Sequence, residues 1–112
     1  MTVRIAAIDK EITDCYSVMR ELRTHLARPD FLALVREQEQ DGYRLAYVAD
    51  EGRPVSVAGF RISRTLAWDR FLYVDDLVTT SRYILTAKPG LTRSALRTIK
   101  NKEALRTPAF LL

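Results

Sequence analysis

Leu72-Tyr73-Val74-Asp75-Asp76-Leu77-Val78-Thr79 is the stretch on which the fold turns. Its β-branched and aromatic residues, set at a two-residue period, predict a strand. Simple alternation puts Phe71, Tyr73, Asp75, Leu77 and Thr79 on one face and Leu72, Val74, Asp76 and Val78 on the other. Both faces are then mainly apolar, as in a strand covered on both sides. Each face also carries one carboxylate, which is costly to bury without a partner or a purpose. Beyond Thr79 the alternation stops and the chain turns basic.

The segments before this strand read in the same way. Val55–Leu66 predicts a longer strand, and Gly59 inside it suggests a bulge or a close backbone approach. Ala67-Trp68-Asp69-Arg70 links the two. Tyr43–Asp50 predicts a further strand, joined to Val55 by the turn Glu51-Gly52-Arg53-Pro54. Val3–Ile8 predicts a short first strand. Ile12, Cys15, Tyr16, Met19, Leu22 and Leu26 recur at helical spacing, which predicts one amphipathic helix over roughly 13–27. Arg28-Pro29-Asp30 is expected to break it, with Asp30 capping a second helix that carries Phe31, Leu34 and Val35 and ends near Gln40, before Gly42. The predicted order is β-α-α-β-β-β, with the last three strands antiparallel neighbours.

Composition narrows the classes. A chain of 112 residues with 47% hydrophobic content is one packed domain. No apolar run approaches the roughly 20 residues of a membrane span, and Met1-Thr2-Val3-Arg4 lacks a signal-peptide core. The single cysteine, Cys15, leaves no internal disulfide and no Cys/His cluster for zinc. A cytoplasmic protein is expected. The net charge of +4 is split unevenly: residues 1–79 hold 11 Lys/Arg against 13 Asp/Glu, whereas residues 80–112 hold 7 Lys/Arg against Glu103 alone. Such a tail fits either a nucleic-acid arm or a segment that did not evolve with the rest of the fold. Within it, Tyr83–Thr86 predicts a short strand and Lys88-Pro89-Gly90 a turn. Leu91, Ala95, Leu96, Ile99 and Leu105 make a weak helical stripe, with Thr92 as a cap.

The element order, closed by Leu72–Thr79, resembles the N-terminal half of the GNAT superfamily of acyl-CoA-dependent N-acetyltransferases. The helix segment Tyr16–Arg23, the tract Gly42–Ala49 and the strand Val57-Ala58-Gly59-Phe60-Arg61-Ile62 add to the likeness, which covers about residues 1–80. It implies an α/β domain of α+β type, GNAT-like but incomplete, with residues 81–112 a divergent basic tail. It also implies that backbone groups of Leu77, Val78 and Thr79 pair with the pantetheine arm of acetyl-CoA. In the family a loop of the form Arg/Gln-x-x-Gly-x-Gly/Ala follows, and its N–H groups hold the pyrophosphate at a helix N-terminus. Here Ser81-Arg82-Tyr83-Ile84-Leu85-Thr86-Ala87 supplies Arg82 at the matching position but no glycine. Two or three lost charge-assisted bonds at ~1.5–3 kcal/mol each would weaken cofactor binding about a thousandfold. The family's remaining strand, helix and closing strands are also expected to be missing, as after a truncation or a frameshift near codon 80.

The resemblance implies Asp75 and Asp76 as groups that bind or help deprotonate an amine; the structural alternative pairs them with Arg61, Arg64 or a helix N-terminus. Tyr73, Tyr47 and Glu37 are the candidate acceptor-binding residues, against ordinary roles as strand tyrosines and a solvated helix charge. His25 reads as a helix-end histidine and Cys15 as a small core residue. No residue is assigned to a metal. Three functions follow: an N-acyltransferase for a small amine, degenerate or truncated; a non-catalytic dimerising or small-molecule-binding module; and a basic nucleic-acid-binding protein, disfavoured because Tyr83 and Phe110 do not interleave with the basic residues. An open sheet edge predicts a homodimer.

Overall fold

Five strands form one sheet in the order β1-β2-β3-β4-β5: β1 (Val3–Ile5), β2 (Tyr43–Asp50), β3 (Arg53–Thr65), β4 (Asp69–Thr79) and β5 (Phe110–Leu111). The computed structural model describes residues 2–81 and 110–111. Strands β1 to β4 are antiparallel, and β5 lies parallel to β4. The β2–β3 turn is Glu51-Gly52, both at positive φ (51° and 76°), the two-residue geometry whose twist matches that of paired strands. The β3–β4 hairpin closes tightly, Thr65 opposite Asp69, with Asp69 itself at φ 57°.

Helices α1 (Asp9–Asp14), α2 (Tyr16–Leu22) and α3 (Arg28–Glu39) pack on one face of the sheet. There Ile12, Cys15, Tyr16, Met19, Phe31 and Val35 meet Tyr43, Leu45, Tyr47 and Val57. The opposite face holds a second core of Val3, Ala46, Val48, Ala58, Phe60, Leu72 and Val74. Burying each large apolar side chain contributes about 1.5–3 kcal/mol, so the sheet is stabilised from both sides, as the apolar character of β4 predicts.

Three expectations need correction. The single helix over 13–27 is two helices hinged at Cys15, whose N–H bonds the carbonyl of Ile12 (3.0 Å), three residues back, and tightens that turn. Helix α2 stops at Leu22 because Arg23 leaves helical geometry (φ −109°, ψ 77°). Arg28-Pro29-Asp30 is not a break but the first turn of α3. Proline is tolerated there because its missing N–H would have no helical partner, and Asp30 offers charge to the helix dipole, not a side-chain cap. Beyond Thr79 the described residues add the two-residue strand β5, with Leu72 paired to Phe110 and Tyr73 to Leu111.

The expected bulge at Gly59 is present, and it alters the reading of β4. Gly59 pairs with Asp76 and Phe60 with Val74, so Asp75 has no opposite residue. A bulged residue shifts the alternation by one. Leu72 and Val74 therefore join the core away from the helices, whereas Val78, predicted to share their face, packs against the helical core. The two aspartates do not divide between the faces. Both reach cations that stand on the helical side.

Candidate functional site

The bulge sets up a polar cluster where the ends of α2 and α3 meet the sheet. Asp76 accepts from Arg23 Nε through one oxygen (2.7 Å) and from the Tyr43 hydroxyl through the other (2.8 Å). Arg23 also donates to the main-chain oxygen of Asp75 (3.0 Å). The Asp75 carboxylate takes Arg61 Nε (2.9 Å), and Arg61 lies over the Tyr43 ring, 5.4 Å from its centroid, where the face attracts a cation. Arg61 is braced from α3 by the side chain of Gln38 and by the carbonyl of Asp41 (3.3 Å). The Asp76 side chain is only 13% exposed, so two charge-assisted bonds answer the desolvation of its charge. Burial, reinforced by the neighbouring Asp76 charge, pushes the Tyr43 hydroxyl pKa far up and keeps it a protonated donor. The bond to Asp76 holds the Arg23 pKa above its ordinary value.

Gly59 makes this arrangement possible. A Cβ at Gly59 would stand 1.8 Å from the Tyr43 hydroxyl oxygen and 2.8 Å from an Asp76 carboxylate oxygen. The bare backbone is the seat of the Tyr43–Asp76 bond.

Beside the cluster lies an open cleft of about 530 Å³. Met19, Phe31 and Val35 form its buried apolar part, Leu26 and Leu34 add to the wall, and Tyr43, Asp76, Arg23, His25 and Gln38 bring the polar groups. His25 is thus not a helix-end residue: α2 has already finished, and His25 stands in the α2–α3 connection facing this cleft.

The residues singled out in the sequence are dispersed. Asp75 and Asp76 come together as described, and the Arg61 partnership expected for them holds, although Arg64 pairs with Asp69 instead (2.7 Å). Tyr47 lies four residues along β2 from Tyr43, about 13 Å away at strand spacing. Its hydroxyl donates to Glu11 (3.0 Å), and it does not line the cleft. Tyr73 is exposed beside β5 and Glu37 is exposed on α3; neither lines the cleft. Leu77 packs against the far core and Val78 against the helical one, and the Thr79 hydroxyl lies 3.0 Å from that of Ser56. Arg82 lies outside the described residues, as do the candidate strand, turn and helix of the tail and its seven Lys/Arg. Arg23, Gln38, Tyr43 and His25 were not singled out as site residues. Arg23 and Asp76 are 53 positions apart, a separation that no local pattern reveals.

The fit of an acyl-CoA can be tested on the strand end. Among the described residues nothing pairs with the outer edge of β4 beyond Tyr73. At its far end Glu21 accepts from the Thr80 hydroxyl (2.6 Å) and the Ser81 N–H (2.9 Å). Burial tends to raise the Glu21 pKa, but these bonds outweigh it and hold the carboxyl below its ordinary value. Among the described residues, the outer backbone groups of Val74–Val78 are not taken by a strand partner. A phosphate at Ser81 would meet a donor already taken by a carboxylate. Among the described residues no group of three or more His, Cys, Asp and Glu could hold a metal, and no helix is long and apolar enough to cross a membrane.

Comparison with solved structures places this architecture. A GNAT family acetyltransferase of Staphylococcus aureus superposes with a TM-score of 0.78 at 11% identity over 99% of this chain and 85% of its own. The ribosomal-protein-alanine N-acetyltransferase of Brucella melitensis gives 0.76 at 6% identity over 100% and 80%. A predicted acetyltransferase of Clostridium acetobutylicum, solved with acetyl-CoA, gives 0.68 at 10% identity over 99% and 80%. No protein-family model matches the sequence, and no curated protein matches it. The chain has the fold of the GNAT acetyltransferases.

Proposed function

We propose that this protein is an acyl-CoA-dependent N-acyltransferase, weak at its phosphate end, acting on a small amine. The observation that carries the reading is the bulge in β4, which brings Asp76 to the cleft wall next to an edge, Val74 to Val78, that no described residue pairs with. One element therefore offers a backbone ladder for a thioester arm and a polar wall for an acceptor. Acetyl-CoA, when bound, would supply an activated acyl carbon. The backbone of Leu77 and Val78 would orient the arm. The cleft would hold the amine with its nitrogen toward Asp76; as the new C–N bond forms and the thioester C–S bond breaks, the proton that nitrogen loses would pass to the departing thiolate or to solvent. Asp75 and Asp76 serve in this reading as positioning groups, because their oxygens are already engaged by Arg61, Arg23 and Tyr43.

Glu21 favours the second reading, a non-catalytic small-molecule-binding module, since it occupies the Ser81 N–H. Calorimetric titration of acetyl-CoA separates the two. Binding is expected in the millimolar range and to tighten about tenfold in Glu21→Gln, where one charge-assisted acceptor is removed from the donor. No heat from either protein at millimolar acetyl-CoA sinks the acyltransferase reading. A homodimer belongs to the same proposal, with the exposed Leu66 and Trp68 at the β3–β4 tip as the surface for a second copy.

A further inference from the structure

We infer that the cleft between α2, α3 and β4 takes a single amine carried on an apolar body, an arylalkyl or branched alkyl monoamine, and discriminates against polyamines and other multiply charged acceptors. The inference deepens the proposed acyltransferase reading, from which it takes the role of the cleft as acceptor site; the class of ligand comes from the lining of this chain.

Shape and surface come first. A cleft of about 530 Å³ lies in the range that encloses a small organic molecule, and ligand pockets of this kind are apolar with a few placed polar groups. Met19, Phe31 and Val35 are almost fully buried, while Leu34 is 39% exposed at the side of the cleft. A ligand that covers Leu34 removes apolar surface from water, which is the main source of affinity in such a site. A polyamine has too little apolar surface to use that wall.

Charge gives the same answer. The ionic groups that line the cleft are Arg23 and Asp76, together with His25. Arg23 and Asp76 neutralise one another at 2.7 Å, and Asp75 behind them is neutralised by Arg61 at 2.9 Å. Glu39, near the end of α3, is taken by Arg36 at 2.9 Å. A carboxylate has about four lone-pair sites, and Asp76 uses two, so it can accept from one more N–H. A second or third ammonium would meet no unpaired carboxylate among the residues lining the cleft, and it would meet the like charge of Arg23, which disfavours it.

Titration of the full chain with phenethylamine and with spermidine, without acetyl-CoA, tests the inference. Phenethylamine is expected to bind, with amide shifts at Met19, His25 and Leu34 in a heteronuclear NMR spectrum, and spermidine to bind at least about tenfold more weakly, the discrimination that a few apolar contacts provide. Leu34→Glu, at a partly exposed position, is expected to keep the fold, to weaken phenethylamine about tenfold and to strengthen spermidine, because it supplies the missing carboxylate. Spermidine binding as well as phenethylamine, or a Leu34→Glu protein that binds phenethylamine undiminished, overturns the inference. The two readings fail separately. Phenethylamine binding with no thiol release from acetyl-CoA rejects the acyltransferase function and keeps the monoamine cleft. Acyl transfer that prefers spermidine keeps the function and rejects the cleft as described.

Discussion

At the residue scale, the contact between Gly59 and Tyr43 decides most. The side chain of Tyr43 rises from β2 across the backbone of β3 to reach Asp76 on β4, and only a residue without a Cβ leaves it room. Gly59→Ala is expected to destabilise the fold by about 1–3 kcal/mol, the usual range for overpacking a tight site, as read from urea unfolding. The cost should shrink but not vanish in a Tyr43→Phe background, because removing the hydroxyl leaves the ring carbon 2.5 Å from the new Cβ. A double-mutant cycle with no coupling would show that the two residues do not share this space. Asp76→Ala is expected to cost about 3 kcal/mol, since it leaves a buried tyrosine hydroxyl and Arg23 without their acceptor. Cys15 presents the opposite case. Burial pushes its thiol up to about 12, so the native protein should not react with a thiol reagent at neutral pH, and its reactivity should appear only in denaturant.

At the element scale, α1 depends on one carboxylate. Its N-cap is Ile8, which has no acceptor of its own, and Glu11 reaches back to the N–H groups of Ala7 and Ile8, both at 3.1 Å, while accepting from Tyr47 on β2. These bonds, the backbone ones first, lower the Glu11 pKa. The sign follows directly. A carboxyl with a lowered folded pKa stabilises the native state above its unfolded pKa and loses that contribution as pH falls through the folded value. Glu11→Gln is expected to flatten the acid side of the stability–pH curve and to fray α1, measured by amide exchange of residues 9–14. An unchanged acid limb would show that Glu11 is not the cap. The same element logic explains why Tyr47, a reasonable acceptor candidate in the sequence, is occupied elsewhere: its hydroxyl ties β2 to the start of α1.

At the scale of the whole molecule, the β3–β4 hairpin ends in Leu66, fully exposed, and Trp68, more than half exposed. Hydrophobic residues of this size at a tip are the places where a second copy gains most by burial. Replacing both by serine is expected to shift the protein from dimer to monomer in sedimentation, with a change in unfolding free energy of the monomer within about 0.5 kcal/mol. A wild-type protein that sediments as a monomer at high concentration would remove the dimer from the proposal.

The order of strands and helices was legible because it rests on local periodicity: the two-residue alternation of β2, β3 and β4 and the helical stripe from Ile12 to Leu26 are written in neighbouring residues. Gly59 was legible as a special position, a bulge or a close backbone approach, and it proves to be both, since the register shifts there and the Tyr43 hydroxyl sits over its backbone. The sequence alone determined that this chain would make a three-strand antiparallel unit backed by helices, closed by a strand bearing two aspartates. It did not determine where those aspartates point, because one unpaired residue shifts every later side chain to the other face, and the register that creates it is a property of two paired strands. The cleft was equally hidden. Arg23, His25, Phe31, Leu34, Tyr43 and Asp76 come from four separate segments, and only the packing of α2 against β4 and of α3 against β2 brings them to one surface. Long-range ion pairing and the exclusion of a side chain at Gly59 are tertiary facts, and they, not the local pattern, give this scaffold a polar wall beside an apolar one.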